Sequence, residues 1–200
     1  MDLSFDTFSL PALILLILTA VLLLISNDWR LSLGAIGAMY IGVFVFVAIS
    51  WPLEMAVVKL VAGWISASVL GISLANLPDS SKRRQPYLAS EIVFRISSAG
   101  LVGLVALSLV SGIQGVIPDA SGEQIIGGTL LIFLGVLHLG FTAQPLRTIL
   151  GLLTLLAGFE ILYATIESSV LVAGFLALIN MGLAMAGAYL LLAPTLEAGE

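Results

Sequence analysis

Three ionisable side chains sit inside long apolar runs. They are Lys59 in AVVKLVAGW, Glu160 in LLTLLAGFEILYATIE and, near the end of its run, His138 in LLIFLGVLHLG. A charge at the centre of a membrane helix costs roughly 2.5–3.5 kcal/mol on insertion scales, and residues that carry it face a bundle interior or a water path. Burial penalises the charged form of each group, whereas a nearby opposite charge favours it. Opposed effects of this kind can poise a group to exchange protons near neutrality. Lys59 lies about five residues from the outer end of its run and Glu160 about six. At ~1.5 Å per residue both sit ~7–10 Å below the same surface, where they could pair.

Helical spacing aims both residues into protein. Lys59 shares a face with Ala56, Gly63 and Ser66, and Glu160 shares one with Ala157, Tyr163 and Ala164. One reading is a buried structural ion pair, or a lysine whose head reaches outward to water. The other is a pair of proton-relay groups. The remaining polar residues have plainer defaults. Glu91 and Arg95 are four apart and predict an i,i+4 pair at the inner end of their segment. His138 reads as a satisfied interface histidine, and Asn180 as the donor or acceptor of an interhelical hydrogen bond. Trp29, Trp51 and Trp64 include two at expected membrane interfaces. No metal-ligand cluster, nucleophile constellation or phosphate-binding glycine loop is present, and the single histidine offers haem no second axial partner. The expectation is therefore no catalytic residue, no metal and no cofactor.

The elements that must hold these groups follow from composition. The chain has 200 residues, 60% hydrophobic and 10% charged, with mean hydropathy +1.19. Soluble domains carry roughly 25% charged residues, so no soluble core of this length could hide so much apolar surface. The fold class expected is all-α: a polytopic membrane protein of about seven transmembrane helices, near 10–26, 31–50, 54–76, 91–113, 124–142, 146–166 and 168–192. Helices are required because backbone polar groups in lipid must be satisfied within the segment. The first run is short, and Phe5 and Phe8 can extend it. The absence of cysteine excludes disulfides and thiolate metal sites. A net charge of −5 argues against a nucleic-acid partner. The N-terminus MDLSFDTFSLP has no basic stretch of the kind that opens a cleaved signal peptide, so the first run is expected to stay as an anchor.

Basic residues predict orientation. Arg30 follows the first segment, Lys82, Arg83 and Arg84 follow the third, Arg95 lies near the start of the fourth and Arg147 opens the sixth. The loops SWPLE and QGVIPDASGE and the turn near Glu167 hold no Lys or Arg. The positive-inside rule then places the N-terminus outside and the C-terminus inside. The loop QGVIPDASGE divides a four-helix region, 1–118, from a three-helix module with a short acidic tail, 119–200. Small residues at helical spacing in segment two (Gly34, Ala38, Gly42) and segment three (Ala56, Gly63, Ala67) predict close packing. No internal repeat is evident.

Several stretches resemble a known family. Segments five to seven resemble the three-helix subunit K of respiratory complex I and its counterpart in multisubunit cation/proton antiporters. RTILGLLTLLAGFE matches that subunit's basic loop leading into a helix with a buried Glu. WRLSLGAIGAMYIGVF and AVVKLVAGW extend the likeness to component E of the hydrogenase-4 type of membrane complex, which bears a Lys at the position of Lys59. The chain departs from that pattern in three places. Glu160 is followed by Ile161 and Leu162 rather than Asn-Gly, Asn180 stands where relatives have an acid, and the tail LEAGE is not basic. The resemblance implies a non-catalytic subunit of a membrane oxidoreductase or ion-translocating complex in the cell inner (plasma) membrane. It also implies larger antiporter-like subunits as partners, and proton or cation movement past Lys59 and Glu160. A scaffold subunit that only packs on its partners is the alternative, and a free-standing small transporter is another.

Overall fold

The computed structural model describes residues 5–77, 87–142 and 144–197. After a short 3-10 turn, Phe5–Phe8, the described residues form seven α-helices: α1 Ser9–Ile25, α2 Trp29–Ser50, α3 Leu53–Ala75, α4 Ala89–Val116, α5 Gly122–Gly140, α6 Pro145–Ala164 and α7 Val170–Glu197. The described residues contain no strand. Lys82, Arg83, Arg84 and the last three residues of LEAGE lie outside the described residues. The six helices α2 to α7 are long and apolar enough to cross a membrane, whereas α1 is shorter, at 17 residues. The molecule is thus an all-α bundle of the multi-pass membrane type.

Local chemistry ends and starts each helix. Asp28 breaks the chain between α1 and α2 and accepts from the Arg30 N–H at 2.9 Å, an N-cap bond. Pro52 precedes α3, and Pro145 opens α6, where its missing N–H costs nothing. Ser121 and Gln124 form a reciprocal capping box at the start of α5.

The helices form two stacked antiparallel layers. In one, α1 packs on α2 and α2 on α3; in the other, α5 packs on α6 and α6 on α7. The layers meet in register, α1 on α5, α2 on α6 and α3 on α7. Partner helices run parallel. Arg147, at the start of α6, reaches Ser26 just past α1, and Trp51, just past α2, donates to Glu167 O just past α6 at 2.8 Å. The stacking aligns the first three helices with the last three, an order that the sequence does not announce. The helix left over, α4, lies against α5 and α1 and buries only Arg95, Ala99 and Ala106. One apolar cluster draws side chains from both sides of the 118/119 division, so the two regions share a core.

The glycines show where backbones approach. A Cβ at Gly158 would lie 2.5 Å from Gly128 O, and one at Gly135 would lie 2.6 Å from Leu155 N. Glycines seven apart on both α5 and α6 therefore form the seam of the second layer. The faces expected in segments two and three are only partly used. Gly42 meets Leu16 and Gly63 meets the Tyr40 ring, but Gly34 faces open space.

Candidate functional site

Four helices place one polar residue each at the junction of the layers. Tyr40 comes from α2, Lys59 from α3, Glu160 from α6 and Asn180 from α7, and each is 0% exposed. The apolar pattern explains why. On α3 the buried positions Ala56, Lys59, Gly63, Ser66 and Leu70 recur every three or four residues, which makes one stripe. On α7 the same spacing joins Ala173, Leu176, Asn180, Ala184 and Gly187. Gly63 has no Cβ, and a Cβ there would overlap the Tyr40 ring. The aromatic ring of α2 thus lies flush on α3 one turn below Lys59.

Their contacts form a continuous chain. Lys59 Nζ donates to Glu160 Oε1 at 3.0 Å, the sole ion pair among the described residues. Asn180 Nδ2 donates to the same oxygen at 3.0 Å. Tyr40 OH donates to Asn180 Oδ1 at 2.9 Å. Glu160 Oε2 is buried and has no partner among the described residues. Lys59 sits about six residues into α3 and Glu160 about four from the end of α6, ~6–9 Å along the helix axis. Tyr40 and Asn180 each lie about ten residues from a helix end, ~15 Å deep. The chain thus runs from one third of the bundle toward its middle.

Burial decides what the arrangement can do. In a low-dielectric interior an ion pair must offset the desolvation of both ions, and removing either partner strands the other. Here one carboxylate oxygen takes two donors and its twin takes none. The twin is the atom left able to accept a proton.

The other residues singled out by sequence lie elsewhere. Arg95 and Arg147 gather at the opposite end, where α1 finishes. Arg95 donates to Leu24 O at 3.1 Å and stacks on Tyr87 and Phe141. Arg147 donates to Ser26 O and, at 3.4 Å, to Asn27 Oδ1, and also lies over Tyr87. The expected Glu91–Arg95 pair is not formed. Arg95 turns inward to the α1 carbonyl, while Glu91 accepts from the Leu88 N–H at 3.2 Å as a helix cap. His138, in the last turn of α5, is buried with no partner on Nε2 among the described residues. The expected interface histidine is therefore unsatisfied at that nitrogen. Of the three tryptophans, Trp51 is buried at a helix end, and Trp64 sits mid-helix on α3 and donates to Gly37 O at 3.1 Å.

Sequence reading missed Tyr40. Its signal was a phenol at the middle of an otherwise apolar span, where an O–H requires a partner. It also missed Gln124, which ties α5 to α2 by donating to Phe46 O and Ser50 Oγ, both at 2.9 Å. Among the described residues no group of three or more His, Asp or Glu side chains could hold a metal ion. Comparison with family models, curated proteins and solved structures finds no match for the chain.

Proposed function

We propose that the chain is a membrane-arm subunit of a complex-I-like, hydrogenase-4-like or multisubunit antiporter-like assembly, and that it contributes to proton or cation translocation through Lys59 and Glu160. The observation that carries this reading is the 3.0 Å ion pair between two side chains with no exposure, bonded further to Asn180. A helix that only anchors has no need of it, and intramembrane ionisable residues mark ion pathways. The stretches RTILGLLTLLAGFE and AVVKLVAGW, which carry the resemblance to component E of hydrogenase-4 and to subunit K of complex I, contain the same two residues.

In this reading the chain lies in the cell inner (plasma) membrane with seven spans, its N-terminus outside and its C-terminus inside. Arg30, Arg95 and Arg147, at the starts of α2, α4 and α6, support that orientation. Larger antiporter-like subunits are its partners, and it holds no redox centre of its own. A change of charge on a neighbouring subunit alters the proton affinity of Glu160, which takes up or gives off a proton against Lys59. The donor set favours the proton over an alkali cation. Lys59 and Asn180 both present N–H groups, whereas hard cations call for several oxygen ligands.

Glu160→Gln in the assembled complex is the test. It keeps the shape and the acceptor for Lys59 but removes the titration. Retained assembly with lost translocation is the expected result; full coupling in the variant overturns the relay. The scaffold reading draws on one observation, that Asn180 stands where a relay would use an acid and carries no proton. It predicts that Glu160→Gln alters assembly and leaves translocation per assembled complex unchanged.

A further inference from the structure

We infer that Tyr40 and Asn180 are positioning residues for Glu160: they fix Oε1 as the hydrogen-bonded oxygen and leave Oε2 as the atom that takes the proton. The inference rests on the relay reading and goes beyond it. Neither the buried pair nor the resemblance assigns a role to Tyr40, or to an amide at position 180.

The geometry is directional. Asn180 Nδ2 faces the Glu160 carboxylate, which only accepts, and the Tyr40 phenol O–H donates to the other end of the amide, Oδ1. The reversed amide would set Oδ1 against a carboxylate oxygen, two acceptors with no proton between them. The carboxylate therefore sets which end of the amide faces it, Tyr40 holds the amide in that place from its far side, and the amide so held reaches Oε1. Gly63 selects Tyr40 in turn, because the ring occupies the space a side chain would fill. With Lys59 on the same Oε1, two donors converge on one oxygen and none reaches the other.

The groups around Glu160 come from every packed element. Lys59 stands on α3, Tyr40 on α2 and Asn180 on α7, while the α5 face along α6 is built of Gly128, Leu131 and Gly135, which do not titrate. When Glu160 gains a proton on Oε2, no bond to Oε1 has to break. Lys59 keeps its charge and its hydrogen bond, and the amide stays where Tyr40 holds it. Proton exchange then proceeds without repacking four helices, a property that a site with equivalent oxygens would lack.

A double-mutant cycle tests this in membranes containing the chain with its native partners. Tyr40→Phe removes one hydroxyl and keeps the ring; Asn180→Leu removes the amide at similar volume. Translocation per assembled complex is expected to fall by about fivefold in Tyr40→Phe and about tenfold in Asn180→Leu, the range of one lost buried hydrogen bond. The double variant is expected to match Asn180→Leu alone, because Tyr40 acts through the amide. The infrared carboxyl band of Glu160, identified by its loss in Glu160→Gln, is expected to shift in both single variants. Additive losses, or a Tyr40→Phe variant with an unmoved band and unchanged rate, overturn the inference. If Asn180→Leu fails to assemble, the band and rate of Tyr40→Phe decide alone. Full translocation in Glu160→Gln overturns the relay reading beneath it instead.

Discussion

Arg147 and Glu160 ride on the same helix, ~20 Å apart along its axis, and both are almost wholly buried. Their partners differ in kind. Arg147 is bonded to Ser26 O and Asn27 Oδ1, and its neighbour Arg95 to Leu24 O, so two guanidinium groups cap the end of α1. Glu160 is bonded to the ammonium of Lys59 and the amide of Asn180. A helix C-terminus carries partial negative charge on carbonyls that have lost their helical donors, and a cation there is stabilised. Arginine stays protonated and a carbonyl does not titrate, so neither partner in these bonds can change charge. At the other end both members of the pair can. A buried charge is therefore weak evidence for ion handling until its partner is known.

The largest effect should come from breaking the titratable end on one side. Lys59→Met leaves a carboxylate in the interior with Asn180 as its only donor, and loss of one partner of a buried pair costs about 3–5 kcal/mol. Accumulation in the membrane should drop, and the thermal midpoint in detergent should fall. Lys59→Met combined with Glu160→Leu should recover most of that loss, because no charge is left stranded. A double variant as unstable as the single one would mean that Lys59 matters for packing and not for neutralising Glu160.

A smaller loss is expected at the fixed end. Arg147→Met frees the Ser26 carbonyl and loosens the last turn of α1, at about 2 kcal/mol for a charged hydrogen bond. The acceptors seen among the described residues, Ser26 O and Asn27 Oδ1, are neutral, so neither is left as a stranded ion. Translocation per assembled complex should stay at the wild-type level, in contrast to Glu160→Gln. A variant that assembles normally but has lost translocation would place Arg147 in the pathway and erase the distinction between the two ends.

The legible part of the molecule was the part set by local pattern. Each apolar run coincides with a helix among the described residues whose bounds lie within a few residues of expectation, because length and hydropathy decide what can sit in lipid. Lys59 and Glu160 were legible as a possible pair because depth and face follow from helical geometry. What stayed hidden depends on which helices are neighbours. R-x-x-L-G opens both α2, as Arg30 to Gly34, and α6, as Arg147 to Gly151, yet the two copies meet opposite surroundings. Arg30 is exposed and Gly34 faces open space, while Arg147 is buried and Gly151 meets Leu139. Glu91 and Arg95 likewise had the right spacing for a pair, but α1 ends beside Arg95 and offers a carbonyl, which spacing cannot foresee. Tyr40 became part of the site only because α7 brings Asn180 opposite it.

A pair of glycines measures the same contrast without touching a charge. Gly63 lies beside the polar chain, and a Cβ there would run into the Tyr40 ring; Gly34 lies near the basic end, and a Cβ there would meet nothing within 4 Å. Gly63→Ala should therefore cost about 1–3 kcal/mol by overpacking. Gly34→Ala should be neutral or slightly stabilising, because alanine is favoured over glycine in a helix by about 1 kcal/mol. The ring of Tyr40 cannot compress, so α2 and α3 must separate or the ring must turn, and either movement draws its hydroxyl from Asn180. Gly63→Ala should thus also shift the Glu160 carboxyl band in the infrared, as Tyr40→Phe does, although every polar side chain is still present. A stable Gly63→Ala variant with an unmoved band would mean that α2 and α3 are free to slide, and that the polar site is held by the ion pair alone.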